Sequence, residues 1–567
     1  MNDLYSKFIK GKLKIGVILD PFSYECFKYE AYLIPLDPFS WKSILIQEKP
    51  DLIFVESAWE GNKGRWSYKI AHLEKIKNQS LKQLIYECKK RKIPTIFWNK
   101  EDPLFFSSFL ETAKLFDYVF TTDQSCIPKY KELLGHNQVY ILPFAAQPKI
   151  HNPVHKDKVR LGKVAFAGTW YSMFEDRIKN MEIILKPALK YNLHIYDRMY
   201  HSHANHAFKF PNLYQPFIHR NLSYDKMVEF YKKYDIFLNA NIISDSPTMF
   251  SRRVFEILAS GTNVISSYSI GIENFFKKIV PLCKTEQDVE KYLDLLIQNK
   301  EYRDRLSLLG LRKVLKYHTY EKRLETILQK IGIKTYKTDL GVSIITCTNR
   351  IDSIDPILDN FYRQNYKEKE LIIVLNNNQM NLKDWKKKTK FDKKIKIFQI
   401  NETKSLGECL NFGIAQSKYH YISKFDDDNY YAPHFLEDLM NGFLYTDAQV
   451  IGKHTYYCYL EKSNTLALRF SNLENRYTHF LCGAAFIMKK QVWNQIKFQD
   501  TTIQTVTYFW QDCVRKRIKL YASDRFNFIA IRHPSIEDHT WKIDDDEFLR
   551  KCEIQGKTKD YITPITV

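Results

Sequence analysis

Short runs of β-branched and aromatic residues alternate with longer stretches of helical periodicity along most of the chain. "LKIGVILD", "PDLIFVES", "IPTIFWN", "DYVFTTD" and "QVYILPF" follow one another with room for a helix between successive runs. That rhythm predicts strands of a mainly parallel sheet joined by crossover helices, an α/β architecture. A proline-containing stretch, "LPFAAQPKIHNPVHKDK", interrupts it before "GKVAFAG", "NLHIYD", "DIFLNAN" and "TNVISS" restore it. Two consecutive α/β units are expected, over residues 1–150 and 151–335. Charged, helix-favouring sequence from Glu301 to Lys330 closes the second, and "GIKTYKTDL" reads as a linker.

A third unit, residues 340–567, opens at "GVSIITCTNR" and continues through "KELIIVLNNN", "KIKIFQI" and "YHYISKFDDDNYY". Between the last two lies "KSLGECLNFGIAQS", where Ser405 and Glu408 form a capping box for a helix carrying Leu410 and Ile414 on one face. The strand after that helix ends on Asp426, Asp427 and Asp428. In open α/β sheets ligands bind beyond the carboxyl ends of strands. Two like charges ~4 Å apart cost about 4 kcal/mol in a surface-like dielectric, so the triplet calls for solvent or a cation. It can be a turn or helix cap. A calcium loop would need the alternation and glycine that are missing here. A hard divalent cation, Mn²⁺ or Mg²⁺, would relieve the repulsion and bridge to the diphosphate of a nucleotide sugar.

In the second unit, "SPTMFSRRVFEILASGTNVIS" predicts a helix capped by Ser246, with Pro247 in its first turn and Gly261 past its end. Phe250, Val254, Ile257 and Leu258 form its apolar face. Arg252, Arg253 and Glu256 lie on the other side, where the plain reading is an amphipathic helix with an Arg252–Glu256 surface pair worth ~0.3 kcal/mol.

Composition adds little to this picture. A length of 567 residues fits two or three domains, and 44% hydrophobic with 27% charged residues fits a folded protein. The net charge of +21, from 86 Lys and Arg against 65 Asp and Glu, favours anionic partners. The lysines are scattered, and no nucleic-acid module signature appears. The ten cysteines include no C-x-x-C pair, which suggests neither a zinc site nor a disulfide framework and fits reduced thiols in the cytoplasm. No segment approaches 18 uncharged apolar residues, so neither secretion nor membrane spanning is expected, while peripheral membrane contact stays open.

The third unit resembles the family-2-type glycosyltransferases of GT-A fold over nearly all of residues 340–545. "VSIITCTNR" looks like the first strand and nucleotide-side loop, with Thr346, Asn349 and Arg350. "KFDDDNYY" looks like the Asp-x-Asp strand end, "LCGAAFIMKK" like the acceptor-side segment and "DHTW" like the late histidine. The resemblance implies Asp426 and Asp428 as diphosphate-metal residues, Asp427 beside them on the donor, and His539 as a third metal ligand. Where acidic residues usually contact the base, this chain has Asn376, Asn377 and Asn378; their amides can serve the same purpose. Where a Gly-Glu-Asp motif usually supplies the general base, it has Gln504, Thr505 and Val506. Thr and Val cannot deprotonate a hydroxyl, so either Asp500 or Asp512 takes that role, or the transfer step is lost or altered. Both aspartates also fit surface or capping positions.

The first two units resemble the CgeB-like, spore-maturation-type glycosyltransferases, whose GT-B fold pairs two Rossmann-like units. The matching stretches are "VESAWEGNKGRW", "IPTIFWNKEDPLFF", "DYVFTTDQSCIPKY", "LPFAAQPKIHNP", "FAGTWY" and the helix quoted above. The resemblance implies a donor site of Gly168, Thr169, Asn239, Arg252, Arg253 and Glu256, with arginine on diphosphate and Glu256 on ribose hydroxyls. Glu56, Trp59, Glu60, Asn62, Asn99, Lys100, Glu101 and Asp102 would face the acceptor, with Glu101 the catalytic candidate.

The expectation is a two-headed glycosyltransferase that moves sugars from nucleotide-diphospho sugars, by analogy UDP-sugars, to a growing surface glycan or a wall or spore polymer. Alternatives are one active head beside a non-catalytic binding head, and a nucleotidyltransferase.

Overall fold

The computed structural model describes residues 13–77, 79–156, 160–201, 206–333, 340–389, 392–535 and 542–567. The chain forms two compact units, Met1–Lys337 and Thr338–Val567.

The first unit holds two six-stranded parallel sheets. Strands β1 (Lys14–Ile18), β2 (Tyr32–Pro35), β3 (Leu52–Glu56), β4 (Thr95–Asn99), β5 (Tyr118–Thr121) and β6 (Val139–Ile141) lie in the order β2-β1-β3-β4-β5-β6. Strands β7 (Gly162–Gly168), β8 (His194–Asp197), β9 (Ile218–His219), β10 (Tyr234–Asn239), β11 (Asn263–Ser267) and β12 (Leu282–Cys283) lie in the order β12-β11-β10-β7-β8-β9. Strand order reverses between β7 and β10, which opens a crevice at their carboxyl ends. All nine runs read from the sequence are strands here. The three it does not reveal, β2, β9 and β12, are short edge strands. Strands β3, β4 and β11 are buried along their whole length, as parallel strands covered on both faces must be.

The expectation that Glu301–Lys330 simply closes the second α/β unit needs correction. At Thr319, whose hydroxyl caps a new helix by accepting from Lys322 N, the chain turns back. Helix Tyr320–Lys330 then lays Tyr320, Leu324, Ile327 and Leu328 into the core of the first sheet, against Ile15, Val17, Phe54 and Trp98. The Arg323 guanidinium secures it with Nε donating to Pro143 O at 2.7 Å and a terminal nitrogen to Phe144 O at 2.7 Å.

In the second unit, β13 (Val342–Thr348), β14 (Lys369–Leu375), β15 (Ile395–Gln399) and β16 (Tyr421–Lys424) are parallel. Further along the chain come β17 (Tyr430–Tyr431), β18 (Val450–Gly452), β19 (Tyr456–Leu460), β20 (Thr465–Arg469), β21 (Arg476–Thr478), β22 (Phe486–Lys489), β23 (Leu520–Ala522), β24 (Phe528–Arg532) and β25 (Cys552–Lys557). An eight-stranded sheet runs β15-β14-β13-β16-β22-β18-β23-β21, and a five-stranded one β17-β24-β19-β20-β25. The antiparallel β22 sets a common level, with Phe486 opposite Lys424 on one side and Gly452 on the other. The capping box forms as read: Ser405 Oγ accepts from Glu408 N at 3.3 Å, and a Glu408 oxygen from Ser405 N at 3.1 Å. Gly407 is required in the next turn, because a Cβ there would stand 1.8 Å from Gln499 O. No helix among the described residues is long and apolar enough to cross a membrane.

Truncating the returning helix should be costly. Leu328→Ala is expected to remove about 3 kcal/mol from the unfolding of the first unit, a loss visible as a lower urea midpoint at unchanged slope.

Candidate functional site

One group of polar side chains in the first unit lies at the carboxyl end of β7. A cavity of about 180 Å³ there is lined by residues that include Thr169, Arg177, Arg198, Asn241, Ser251 and Arg253. Arg177, in the first turn of helix Glu175–Leu185, donates to Ala240 O at 3.0 Å and to Thr169 O at 3.1 Å. Its Nε and the Thr169 hydroxyl are buried without a hydrogen-bond partner. Leaving such groups unpaired costs ~1–3 kcal/mol each, which a ligand oxygen would recover. Burial, with Arg253 and Arg198 close by, pushes the Arg177 guanidinium down to about 10. Three guanidiniums and no carboxylate line this cavity, a setting for an anion such as a diphosphate. Gly168 sits at the strand end, its carbonyl accepting from Arg198 N at 3.1 Å. Asn239 is committed inside the sheet end, donating to Asn241 Oδ1 at 3.0 Å and Ser266 Oγ at 2.9 Å.

The donor helix departs from its expected form. It spans only Arg253–Ala259 and begins six residues after Pro247. Ser246 instead accepts from Met249 N at 2.9 Å in an irregular turn and donates to Asp123 Oδ1 at 2.7 Å, joining the two α/β halves. The apolar face is buried as read, and Gly261 follows the helix end at φ +72°. Glu256, expected on the polar side, is 1% exposed. Its carboxylate accepts from Arg252 at 2.7 Å, Tyr224 at 3.1 Å and Tyr231 at 3.1 Å. Burial alone would raise this carboxyl, but the charges of Arg252, His151 and Arg253 hold it below the ordinary carboxylate range. The pair with Arg252 is thus part of a buried network, not a surface contact. His151 Nδ1 accepts from Gln147 N at 3.0 Å, which places the ring proton on Nε2, 3.0 Å from the Tyr224 hydroxyl. Burial pushes this imidazole down to about 4 despite Glu256.

Several residues expected to face an acceptor hold the first sheet together instead. Asn62 bonds Leu19 N, Val17 O and Leu36 O, and Asp102 accepts from Asn99, Thr121 and Tyr130. Glu56 is fully buried against Lys100 at 3.1 Å, which also meets Asp20 at 2.6 Å. The Phe22 ring lies between two cations, Lys100 at 4.4 Å and Arg252 at 4.1 Å. Glu101 remains half-buried; burial pushes its carboxyl up against the pull of Lys100, the Trp59 side chain and Arg198.

In the second unit the acidic turn carries its own cations. Lys424 pairs with Asp426, and one Arg350 nitrogen meets Asp427 at 3.1 Å and Asp428 at 3.0 Å. Asp427 also accepts from the Thr348 hydroxyl. Thr346, two positions deeper in β13, is 1% exposed, so Thr348 is the threonine that reaches the turn. Burial pushes the Asp426 carboxyl up, as does Asp428, while Lys424 pulls it down. Nearby, Asn376 donates to Asn401 O at 2.8 Å, Asn377 to Asn349 O at 3.0 Å, and Asn378 N to Glu402 at 3.1 Å. Among the described residues no group of three or more His, Cys, Asp and Glu side chains is arranged to hold a metal ion. His539 lies outside the described residues, as do Asp538 and Trp541. The oxygen donors of Asp426 and Asp428 nonetheless suit a hard divalent cation in type.

Neither aspartate proposed as a base reaches this turn through a described contact. Asp500 is exposed beside Glu408. Asp512 accepts from Gln499 at 3.0 Å and pairs with Arg515. At the start of helix Thr505–Arg515, Thr505 donates to Thr501 O at 2.7 Å and Val506 packs on Gly483. The sequence reading missed Arg177, Arg198, Thr348 and Lys424. Arg177 was the most accessible to it, as the first base of the helix after a Gly-ended strand.

Residues 182–329 match the family model described as "Glycosyl transferase-like", and residues 343–507 match "Glycosyl transferase family 2". The chain carries two glycosyltransferase domains. The O-antigen biosynthesis glycosyltransferase WbnJ of Escherichia coli is 30% identical over 114 residues, 20% of this chain and 44% of that protein, so the match spans less than half the relative's length. The crystal structure of S. aureus TarS 1-349 is 14% identical with TM-score 0.25, over 34% of this chain and 60% of that one. The mannosyltransferase PcManGT from Pyrobaculum calidifontis, in complex with GDP-Man and Mn²⁺, is 12% identical with TM-score 0.24, over 34% and 56%.

The buried network of the first glycosyltransferase domain should respond to acid. His151 has a folded pKa near 4, below its ordinary ~6.5, so the unfolded chain binds more protons between those values. Its contribution is fully present above pH ~6.5 and is lost as pH falls toward 4, by at most about 1.4 kcal/mol per pH unit. His151→Asn, which keeps an acceptor for Gln147 N, is expected to flatten that part of the stability profile in urea titrations at stepped pH.

Proposed function

We propose that the chain is a cytoplasmic two-headed glycosyltransferase, with a CgeB-like GT-B head that needs no metal and a metal-dependent GT-A head. Both heads would take nucleotide-diphospho sugars, UDP-linked by family analogy, and extend a surface glycan or a wall or spore polymer. The observation that carries this reading is the arginine-lined cavity with its two unpartnered buried polar groups, Thr169 Oγ1 and Arg177 Nε. Arg177, Arg198 and Arg253 would hold the diphosphate and stabilise the charge that builds as it leaves. Glu101, its carboxyl raised by burial, would take the acceptor proton across the cleft. Gly168, Asn239, Arg252 and Glu256 would support the donor from behind.

In the second head, Asp426 and Asp428 would hold Mn²⁺ or Mg²⁺, with His539 completing the set. A hard cation bound there neutralises the departing diphosphate. Arg350, Asn349, Asp427, Asn376 and Asn378 would line the nucleotide, with Thr348 in the place expected for Thr346. The O-antigen relative supports a surface polysaccharide as acceptor. The net charge of +21 supports anionic acceptors or peripheral contact with an acidic membrane face.

One observation favours a second reading, in which the C-terminal head only binds: Thr505 and Val506 stand where a carboxylate base is usual, and both are committed to packing.

Nucleoside-diphosphate release from a panel of nucleotide sugars, with and without Mn²⁺, decides between them. Metal-dependent release is expected to fall at least ~100-fold in Asp428→Ala alone, and metal-independent release similarly in Arg177→Ala alone. Release that depends on Arg177 under every condition would leave the C-terminal head a binding domain. Pyrophosphate as the product would make the protein a nucleotidyltransferase.

A further inference from the structure

We infer that the loops carrying Phe39 and Tyr68 dock the N-terminal head on an acidic lipid surface. This deepens the reading of that head as a transferase on a surface glycan, and rests on that reading for its purpose.

Of the large apolar side chains among the described residues, Phe39 and Tyr68 are the most exposed, at 82% and 79%. They lie on two loops of one edge. Phe39 follows β2 and Tyr68 follows β3, the strands that flank β1, so both loops stand at the carboxyl ends of the first sheet. Side chains pin the loops together. Trp66 Nε1 donates to Leu36 O at 2.7 Å, and Asn62 Nδ2 to the same oxygen at 2.8 Å. One Asp37 oxygen accepts from Phe39 N at 2.9 Å, and the other meets Arg65 at 3.3 Å. Tyr68 is held in the left-handed region at φ +54°, its N donating to Trp59 O at 3.2 Å. A single exposed ring needs no explanation; two fixed in water on one braced pair of loops do. The apolar surface also continues toward the candidate base. The Trp59 ring stands edge-on to the exposed Phe105 at 5.3 Å, and the Trp59 side chain hydrogen-bonds Glu101.

Charge decides what covers this ridge. Lys42 lies three residues after Phe39, and Lys63, Arg65 and Lys69 share the Tyr68 loop. Against them stand Glu60 and Asp37, the latter already paired with Arg65. Lys69 Nζ meets the carbonyls of Arg65 and Ser67, both at 3.4 Å. A second copy of the chain is a poor cover, because a two-fold contact sets these cations against their own counterparts. An acidic lipid surface complements both features: its interface takes aromatic rings, and its headgroups attract lysine and arginine. Apolar insertion and charge attraction act together in such docking. Docked there, the head brings the Glu101 edge of its sheet beside the surface from which an acceptor glycan is presented.

The test sediments the full chain with vesicles of phosphatidylcholine, alone or with ~30% phosphatidylglycerol. The wild type is expected to bind the acidic vesicles at least ~10-fold more tightly than the neutral ones, and to lose most of that difference between ~0.1 and ~0.5 M salt. Phe39→Ser with Tyr68→Ser should weaken acidic-vesicle binding at least ~10-fold, as should Lys63→Glu with Lys69→Glu. Nucleoside-diphosphate release with water as acceptor should be unchanged in both, which shows that the variants are folded. Equal binding by the wild type and either double variant, or equal binding to acidic and neutral vesicles, would overturn the inference. So would a wild-type dimer in light scattering that Phe39→Ser with Tyr68→Ser dissociates, because a second copy would then cover the ridge. Acidic-vesicle binding without release from any donor would uphold the docking surface and overturn the transferase reading.

Discussion

A carboxylate taken out of water must have its charge matched on the spot, and in the first unit that requirement falls on Glu256. Arg252, Tyr224 and Tyr231 all donate to it, with His151 behind Tyr224. The same groups reach into the first α/β half: the Tyr224 hydroxyl lies 3.7 Å from Cys26 Sγ, and Arg252 covers the Phe22 ring. Charge compensation inside one half is therefore also a junction between halves. The neighbouring Arg253, whose charge also favours the Glu256 carboxylate, lines the cavity.

The two units meet the same demand with opposite signs. At the β7 end, three arginines converge without a carboxylate, and two buried polar atoms lack partners. At the β16 end, three aspartates converge, and the chain supplies Lys424 and Arg350 to offset them. The first arrangement is short of an anion. The second is already compensated, so a divalent cation there would compete with a lysine and an arginine for the same oxygens.

Strand pairing explains why chemistry collects at these edges. Parallel strands end together on one side of a sheet, and their last residues leave the hydrogen-bonded ladder with side chains still ordered. In the second unit the antiparallel β22 acts as a ruler between β16 and β18, so residues from distant sequence positions reach one level. The return of helix Tyr320–Lys330 onto the first sheet ties the two halves of the first unit together.

The sequence by itself determined the central strands, the Ser405–Glu408 capping box, the apolar face of the donor helix and the acidic strand end. Each depends on neighbours within a few residues, through side-chain periodicity or local capping. The short edge strands escaped it because a strand with one partner needs no continuous apolar run. The true start of the donor helix escaped it because Ser246 found a better partner in Asp123, 123 positions away. Only the tertiary structure decided which charges are buried. Glu256 reads as a donor-site residue on the polar side of its helix and Asp102 as facing an acceptor, yet both are enclosed with their donors. Arg177, Arg198, Lys424 and Thr348 gain meaning only from what stands opposite them. Lys424 pairs with Asp426 two residues on, but Arg177 reaches Ala240 and Thr348 reaches Asp427 from distant sequence positions, and no local pattern in the chain specifies a partner that far away.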